Sequence, residues 1–536
     1  MKIRFFILIV FILGTFSFLG INLYSLQIEK GDYYSAKAVK LAGFLTPYRG
    51  DIYFTDKNSN TIPVAISKAY PVIFAVPKEI EDVDEATGFL VDIVGIDKEK
   101  LHHLLQKDSS YELLVKKASE DQVSKIRDLN FKGIYIEDQE FRFYPSNQLA
   151  SQFLGYVGPD EQGVDISGKY GLELYFDEKL SGKAGVVKDK KIIKSVSGEN
   201  IYLTIDRNIQ TKAEEILANL VEKFSAHDGS FIVQEPKSGK ILAMGGYPNF
   251  DPNNYSQAPL ANFLNNNVQG VYEPGSVFKV LTMAAGIDSG AITPETTYYD
   301  DGSFEVRDRI LKNWDLKAYG TVSMTQVIEH SLNTGAAFAE KKIGHKTFYD
   351  YLLKFGFSKS TQIDLPGELG GNLKNLSDLK NPVNFATAAF GQGISVTPIQ
   401  LISAVSAIAN GGYLMRPTIL TKDEPEEVTT VITPDTSKKV TVMMENALKK
   451  AELGRVEKYR LAGKTGTAQV SEKGKYTKDV INTYVGFGPV SDPKFTILFK
   501  LSKPAGAPLA GQTVVPAFRE LAQFILSYYN ISPDDL

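Results

Sequence analysis

The chain has 536 residues, of which 43% are hydrophobic and 23% charged, so it is long enough for two or three globular domains with ordinary cores. Its formal net charge of −4 argues against a nucleic-acid-binding protein, because such domains are usually basic. With no cysteine and five histidines, disulfides, thiolate metal sites and cysteine nucleophiles are excluded, and a zinc enzyme is disfavoured.

The N-terminus predicts a membrane anchor. Residues 5–26 contain no charged side chain over 22 residues, and a helix of that length, at about 1.5 Å per residue, crosses the hydrocarbon core of a bilayer. Lys2 and Arg4 precede the run and favour a cytoplasmic N-terminus. A cleaved signal peptide is the alternative, but the run is longer than a typical h-region and no clear A-x-A site follows it. Residues 1–26 are therefore predicted to be a cytoplasmic stub and a transmembrane helix.

Residues 27–200 predict a mixed α/β domain. A charged helical stretch is expected around 95–130, and Gly, Pro and Asn residues elsewhere predict turns between strands. Residues 186–200 have the composition of a polar connection.

Residues 201–536 predict a second, α+β domain. Asp206 can cap a helix over the following residues, and two strands over 229–247 are joined by a Pro-Lys-Ser-Gly turn. Helical patterns dominate 275–410, strands return at 483–502, and an amphipathic helix is expected at 514–529. Strands on both sides of a helical middle indicate an antiparallel sheet covered by helices.

The segment RLAGKTGTAQV (460–470) contains a Gly-Lys-Thr tripeptide that is typical of phosphate-binding loops. Such a loop requires G-x-x-x-x-G-K-[ST], so that backbone N–H groups can wrap the phosphates. The first glycine would fall at position 458, which is Lys458. The loop should also lead into a helix, whereas Thr-Gly-Thr-Ala-Gln-Val is typical of a strand. A nucleotide site is therefore rejected, and a strand end with one solvated lysine is the simple alternative.

The candidate nucleophile is a serine in a Ser-x-x-Lys motif, which places a hydroxyl and an amine on one face of a helix. A partly desolvated lysine near another cation has a lowered pKa and can accept the serine proton. The motif occurs three times, at Ser276–Lys279, Ser377–Lys380 and Ser491–Lys494. The third contains a proline in a predicted turn, and the second lies in a polar loop. Only the first begins a predicted buried helix, opened by Pro274 and Gly275, although a capping serine would fit there as well.

Two further short motifs favour a catalytic role for Ser276 over a capping role. Ser331-Leu332-Asn333 is the one Ser-x-Asn in the sequence and lies between two predicted helices. Lys-[Ser/Thr]-Gly occurs at Lys237-Ser238-Gly239, which fits a hairpin turn, and at Lys464-Thr465-Gly466. Each motif alone is a weak signal.

In chain order, the motifs beginning at Ser276, Ser331 and Lys464 match the three motifs of penicillin-binding proteins and serine β-lactamases. The intervals between them are 55 and 133 residues. FGQGISVTPIQL (390–401), LTIDRNIQ (203–210) and NWDLKAYG (313–320) also resemble this family, and the likeness covers nearly the whole chain. RGDIYFTD, FRFYPSNQLASQFLGYVG and GLELYFDEKLSGKAG are similar to the pedestal of class B, monofunctional penicillin-binding proteins. The R-G-x-I-x-D run has two additional residues here, Phe54 and Thr55.

The resemblance implies a fold and a domain division. The expected architecture is α+β: a serine β-lactamase/transpeptidase-like domain over 201–536, on an N-terminal α/β pedestal over 27–200, with one transmembrane helix within 1–26. It implies a D,D-transpeptidase that crosslinks peptidoglycan stem peptides and binds β-lactams, with a division role favoured over elongation.

The resemblance also implies residue roles. Lys279 would take the proton of Ser276, which attacks the penultimate D-Ala carbonyl of the stem peptide. Ser331 would relay a proton to the departing D-Ala, and Asn333 would hold the substrate backbone. Lys464 would supply positive potential.

The strand after Lys464, Thr465–Gln469, is expected to lie along the substrate and pair with its backbone. The Thr465 and Thr467 hydroxyls would bind the terminal carboxylate, and Gly466 would allow close approach of the substrate. Backbone N–H groups of Ser276 and Thr467 would form the oxyanion hole. No metal or cofactor is expected.

Two alternatives stay open at this point. A D,D-carboxypeptidase or β-lactamase would need rapid attack by water on the acyl-enzyme, and a non-enzymatic β-lactam sensor or scaffold would need no intact motif set. The family context implies a single-pass protein of the cytoplasmic membrane with a periplasmic or extracellular catalytic domain. It also implies a SEDS-type glycan polymerase and other cell-wall complex proteins as partners, and no nucleic acid.

Overall fold

A computed structural model describes residues 13–20, 24, 47–159, 166–188, 191–472, 474–506 and 508–535. Residues 13–20 of the predicted anchor are helical and exposed, and apart from residue 24 the rest of that prediction lies outside the described residues. Within the described part, none of the helices has both the length and the apolar character that crossing a membrane requires.

The described chain forms two compact units, of which the first contains Ile66–Phe143, Glu178–Glu199 and the described residues up to Gly50. Its sheet is antiparallel, and Ile66–Ala75 pairs with the whole of Ile134–Phe143. Ile73, Leu90, Leu101 and Ile126 contribute to the core that its helices form against the sheet. The unit contains strands Thr61–Ala75 (from Ile66), Glu112–Val115, Ile134–Phe143, Val186–Lys188 and Lys191–Ile193, helices Val83–Val94, Lys98–Leu105 and Glu120–Leu129, and the 3₁₀ turn Pro77–Glu79.

Two details of the first unit differ from the sequence prediction. The stretch 95–130 is not continuously helical, because Glu112–Val115 forms a strand that pairs with the end of Thr61–Ala75. The expected polar connection at 186–200 contains a short hairpin. These three strands are three or four residues long, too short for a period of two to stand out from the charged residues around them.

The second unit comprises Asp51–Ala65, Tyr144–Asp177 and Asn200–Leu536. Its main strands are β1 (Asp228–Gln234), β2 (Ile241–Tyr247), β3 (Ala462–Glu472), β4 (Lys475–Gly488) and β5 (Phe495–Ser502). Its main helices are α1 (Arg207–Lys223), α2 (Lys279–Asp288), α3 (Met324–His330), α4 (Asn333–Ile343), α5 (Pro398–Ala409), α6 (Pro434–Lys450) and α7 (Val514–Tyr528). The smaller strands are Ile52–Thr55, Val157–Pro159, Ile166–Gly168, Ile201–Tyr202, Thr297–Asp300, Ser303–Val306, Arg309–Lys312, Gly320–Ser323, Tyr413–Met415 and Glu427–Thr430. The smaller helices and 3₁₀ turns are Ser151–Leu154, Gly171–Tyr175, Pro252–Gln257, Leu260–Phe263, Asn266–Gln269, Gly275–Phe278, His345–Lys354, Lys374–Leu376, Pro382–Ala388 and Ala510–Gln512.

The main sheet has the strand order β2-β1-β5-β4-β3 with every pair antiparallel. One face packs against α1 and α7, where Phe231, Phe499 and Phe518 lie in a single apolar core. The other face packs against α5, whose twelve residues are all buried and whose Ser406 donates to Gln234 on β1 at 2.8 Å. The predicted α+β class, an antiparallel sheet covered by helices, is confirmed. Strand β3 lies at the edge of the sheet, so one side of it is available to a ligand.

Candidate active site

The Ser276 motif occupies a 3₁₀ turn followed by a helix. The turn Gly275–Phe278 leads directly into α2, which begins at Lys279 and has its first nine residues buried. The sequence predicted one continuous helix. In a 3₁₀ turn the side chains at i and i+3 eclipse one another, so the turn keeps Ser276 and Lys279 on a common side. Ser276 is half-buried, whereas Lys279 is fully buried.

Gly275 adopts φ +60° at the start of this turn, a left-handed conformation that favours glycine. Its N–H donates to the Gly391 carbonyl at 3.1 Å. A Cβ on Gly391 would lie 2.3 Å from the Gly275 carbonyl oxygen, so the Phe-Gly-Gln-Gly segment approaches the turn backbone to backbone. This contact gives the family-like FGQG segment a structural role beneath Ser276, the candidate nucleophile.

The Ser331 motif is the turn between α3 and α4. Ser331 has φ +57° and ψ +45° at the end of α3, and Asn333 is the first residue of α4. The turn delivers both side chains to Lys279: its Nζ lies 2.6 Å from the Ser331 carbonyl, 3.2 Å from Ser331 Oγ and 2.8 Å from Asn333 Oδ1. A left-handed non-glycine residue is strained and is tolerated where the surroundings fix it, as at this three-way contact.

The Lys464 motif reaches the same hydroxyl from strand β3. Lys464 Nζ donates to Ser331 Oγ at 3.0 Å, to the Thr465 carbonyl at 3.0 Å and to Thr465 Oγ1 at 3.3 Å. Thr465 and Thr467 are half-buried along the strand, and Thr467 Oγ1 accepts from the Ala510 N–H at 3.2 Å. The structure thus brings the side chains of Lys279, Ser331 and Lys464 together at one oxygen.

Both lysines at this oxygen have lowered pKa values. Burial lowers the pKa of Lys279 well below its usual value, and the nearby charge of Lys464 lowers it further. Burial lowers the pKa of Lys464 to about 7. Their hydrogen bonds go to neutral oxygens, which offset little of the cost of burying an ammonium group. A lysine that is neutral near pH 7 can act as a base, and its cationic neighbour can attract an anion.

Gly466 packs against the segment around Ser276. A Cβ at Gly466 would lie 2.8 Å from the Pro274 carbonyl oxygen and 2.8 Å from Val277 Cγ2. The resemblance predicts that this glycine allows close approach of the substrate. In the structure, the side that a Cβ would occupy is filled by the segment that carries Ser276, so a packing role explains this glycine.

Asn313 holds the start of α4 and was given no role from the sequence. Its Oδ1 accepts from the N–H groups of Asn333 and Thr334 at 3.0 and 3.4 Å, so a distant side chain supplies the N-cap that Leu332 cannot. Its Nδ2 donates to Asp300 Oδ2 at 2.9 Å, and the Thr334 hydroxyl lies 2.9 Å from Asp300 Oδ1. Asn313, Thr334, Asp300 and Leu332 are all buried. Because the cap lies 20 residues from Asn333, no local sequence pattern marks it.

The competing motifs lie in ordinary turns. Ser377 follows the 3₁₀ turn Lys374–Leu376, and its hydroxyl donates to the Lys374 carbonyl at 2.8 Å. Ser491 donates to Asp534 at 2.8 Å, and Lys237 forms an exposed ion pair with Asp492 at 2.5 Å. These hydrogen bonds account for each motif without a catalytic role.

Two family models match the sequence. Residues 229–523 match the penicillin-binding protein transpeptidase domain, and residues 44–216 match the penicillin-binding protein dimerisation domain. The first match alone covers more than half of the chain and contains all three motifs.

Individual relatives and solved structures agree with the family models. The chain is 33% identical to the stage V sporulation protein D of Bacillus subtilis (strain 168) over 502 residues, which is 87% of this chain and 76% of the relative. It is 27% identical to the peptidoglycan D,D-transpeptidase FtsI of Escherichia coli (strain K12) over 553 residues, covering 98% and 90%. The crystal structure of penicillin-binding protein 2X from Streptococcus thermophilus superposes with a TM-score of 0.75 at 25% identity, covering 91% and 81%.

Proposed function

We propose that Ser276 is the nucleophile of this chain, and that a stem peptide acylates it in the first step of peptidoglycan crosslinking. The chain belongs to the family of class B penicillin-binding proteins. The chain is a serine-type D,D-transpeptidase of cell-wall synthesis. The observation that carries the residue assignment is the convergence of Lys279 and Lys464 on Ser331 Oγ, at 3.2 and 3.0 Å. It supplies a buried base, a buried cation and a hydroxyl between them, beside the Ser276 turn.

Acylation begins with the base. Neutral Lys279 accepts the proton of Ser276 Oγ while this oxygen attacks the penultimate D-Ala carbonyl. The N–H groups of Ser276 and Thr467 stabilise the oxyanion. Collapse of the tetrahedral intermediate breaks the C–N bond, and Ser331 relays a proton to the departing D-Ala amine. The hydrogen bonds of Ser331 Oγ to both lysines support this relay role.

Recognition of the substrate uses the edge of β3. An extended peptide can add to this edge as a further strand. Thr465 and Thr467 bind the terminal carboxylate, and Lys464 supplies positive potential. The Asn333 amide donates one N–H to the Lys312 carbonyl at 2.9 Å, which leaves its second N–H for a carbonyl of the substrate backbone. Gly466 belongs to this strand and sets how near it lies to the Ser276 turn.

The second half-reaction transfers the acyl group. An amine of a neighbouring stem peptide attacks the ester carbonyl, and Ser276 Oγ leaves with a proton to regenerate the enzyme and form the crosslink. A β-lactam acylates Ser276 in the same way and stays bound. A D,D-carboxypeptidase or β-lactamase would instead hydrolyse the ester, so turnover of penicillin within seconds would contradict the transpeptidase assignment of this site.

We also propose a membrane-anchored arrangement of the chain and a set of partners. Residues 1–26 form a cytoplasmic stub and transmembrane anchor, 27–200 the pedestal and 201–536 the catalytic domain. The catalytic domain lies outside the cytoplasmic membrane, in the periplasm or extracellular space. A SEDS-type glycan polymerase and other cell-wall complex proteins are its partners.

Division is the favoured process, since FtsI-named relatives span nearly the whole chain. Spore formation is the second candidate, because one well-covered relative is named for stage V of sporulation. Depletion of the protein separates the two: filamentous vegetative cells support division, whereas normal vegetative cells with defective spores support sporulation.

Labelling with a fluorescent penicillin tests the nucleophile. The wild-type protein should carry one covalent label on the peptide that contains Ser276, and Ser276→Ala should carry none. Ser377→Ala is the matched control, because it removes the serine of a second Ser-x-x-Lys motif and should label normally. Label on Ser276→Ala, or loss of label in Ser377→Ala, would contradict the assignment.

A further inference from the structure

A half-buried carboxylate lies three residues before the nucleophile. Glu273 Oε1 accepts from the Gly393 N–H at 3.2 Å, and the Tyr476 hydroxyl lies 3.1 Å from Oε2 and 3.4 Å from Oε1. Burial raises the pKa of Glu273, while both hydrogen bonds favour its charged form. The side chain therefore joins three segments: the Ser276 turn, the FGQG segment and the beginning of β4.

Tyr476 belongs to the outer end of the β3–β4 hairpin. It is the ladder partner of Ser471, beyond an irregularity in the pairing between Gln469 and Ser471. The side chain of Tyr476 is 48% exposed, so its ring contributes little to the core. Nearer the sheet, β3 pairs with β4 on one side only, because it is the edge strand. The outer hairpin therefore depends on contacts such as the Tyr476 hydrogen bond for its position.

The position of this hairpin matters because β3 lies close against the Ser276 turn at two glycines. A Cβ on Gly275 would lie 3.1 Å from the Ala468 Cβ, and a Cβ on Gly466 would meet Pro274 and Val277 at 2.8 Å. A tilt of the outer hairpin would be transmitted along β3 to Thr465 and Thr467. These are the positions at which an extended substrate would dock.

We propose that Glu273 and Tyr476 form a latch that ties the outer β3–β4 hairpin to the Ser276 turn and so sets the distance between the substrate-binding edge and the nucleophile. Both are positioning residues, since neither touches the reacting atoms. The role rests on the proposed function of Ser276. With the latch formed, the edge of β3 is preorganised for a strand-like acyl donor. With the latch broken, the donor must order the hairpin as it binds, which weakens binding.

Two conservative variants test the latch. Tyr476→Phe removes one oxygen from an exposed ring, and Glu273→Gln removes the charge at nearly constant volume. The second-order acylation constant with a fluorescent penicillin should fall roughly three- to tenfold in each, because Tyr476→Phe deletes a hydrogen bond to a charged but partly solvated group and Glu273→Gln weakens it by removing the charge. Saturation kinetics should place most of this change in the apparent dissociation constant and little in the maximal acylation rate. The double variant should be little worse than either single variant, since both remove one interaction.

Tyr413→Phe is the matched control, because Tyr413 is 38% exposed on another strand of the same unit, and it should acylate as the wild type does. Melting temperatures of all variants should stay close to that of the wild type, since the bond is at the surface. A fall in melting temperature with unchanged acylation kinetics would assign the pair a merely structural role and overturn the latch.

Hydrogen exchange separates failure of the latch from failure of the proposed function. Amides of the outer ladder pair Ser471 and Tyr476 should exchange several-fold faster in Tyr476→Phe, while the buried strand β5 is unchanged. Unchanged exchange of the hairpin would overturn the latch whether or not Ser276 reacts with penicillin. If exchange rises but Ser276→Ala still labels, the latch stands as a hairpin tether and the nucleophile assignment is the part that fails.

Discussion

The charge of Lys464 should set the pH dependence of acylation through Lys279. Burial lowers the pKa of Lys464 to about 7, and burial together with the charge of Lys464 lowers the pKa of Lys279. Because the charge of Lys464 disfavours protonation of Lys279, Lys279 should lose its proton first, and over a range of pH the first lysine is neutral while the second is charged. In the proposed mechanism, this combination offers a base to Ser276 and a cation to the substrate carboxylate. The acylation constant should therefore follow a bell-shaped pH profile, with the acid limb reporting Lys279 and the basic limb Lys464.

Lys464→Gln removes the cation and should move the acid limb to higher pH. Both ammonium nitrogens hydrogen-bond to Ser331 Oγ, at 3.2 and 3.0 Å, so they are at most about 6.2 Å apart. At an effective dielectric constant of about 20, two unit charges at that distance repel by about 2.7 kcal/mol, which favours the neutral form of Lys279 by roughly a hundredfold. Some water enters the site once the lysine is shortened, and we expect a shift of one to two pH units.

The assay is the second-order acylation constant with a fluorescent penicillin, measured from pH 5 to pH 9 for the wild type, Lys464→Gln and Lys464→Arg. The arginine variant keeps a permanent charge, so its acid limb should stay near that of the wild type while its basic limb disappears. The maximal acylation constants of the variants are not compared, because on the proposed mechanism every substitution of Lys464 should also weaken binding of the penicillin carboxylate. An acid limb that stays in place or moves to lower pH in Lys464→Gln would refute the reasoning. So would an equal upward shift in Lys464→Arg.

Three further substitutions test other parts of the second unit. Gly466→Ala should lower the acylation constant more than tenfold, because its Cβ would lie 2.8 Å from the Pro274 carbonyl oxygen at the start of the Ser276 turn. Gly511→Ala is the control and should acylate normally, because a Cβ on Gly511 has no described atom within 4 Å. Asn313→Ala should reduce the free energy of unfolding by about 1–3 kcal/mol in urea titrations and slow acylation, because the α4 N–H groups lose their acceptor and a buried carboxylate loses a donor. Burial raises the pKa of Glu340 to about 8, so the folded state holds a proton that the unfolded state releases, and wild-type stability should fall as pH rises from about 4.5 to 8. Glu340→Gln should flatten that dependence, and urea unfolding of both proteins at pH 5.5 and pH 8 measures it.

Much of the second unit could be predicted from its sequence because its elements are long and locally marked. Asp206 caps α1 by accepting from the Asn208 and Ile209 N–H groups at 2.8 and 3.2 Å, as expected from its place before a helical pattern. The terminal helix was expected at 514–529 and is observed at Val514–Tyr528. The apolar residues of such elements recur with a period that a single sequence reveals.

The sequence predicted a set of candidate site residues but could not predict their geometry. The order of three short motifs indicated which serine and lysines to group, although 133 residues separate Ser331 from Lys464. The sequence could not reveal the left-handed backbone of Ser331, the 3₁₀ turn at Ser276 or the remote cap by Asn313. Each depends on partners supplied by distant parts of the chain, and local propensity carries no information about such contacts.

The burial of Lys464 explains how one tripeptide can serve chemistry unlike that of a phosphate loop. In a phosphate loop, several backbone N–H groups converge on the anion and lysine adds to them. Here Lys464 lies on an extended strand and is 3% exposed, with a pKa lowered to about 7 by burial. The lowered pKa means that folding disfavours the charged form of Lys464. When Lys464 is charged, the folded state is therefore less stable than it would be with a neutral side chain there. A carboxylate that binds beside Lys464 would stabilise the charged ammonium group and raise its pKa back toward the usual value of lysine. A phosphate loop needs backbone curvature to recognise its anion, whereas an extended edge with one buried cation suits a peptide that ends in a carboxylate.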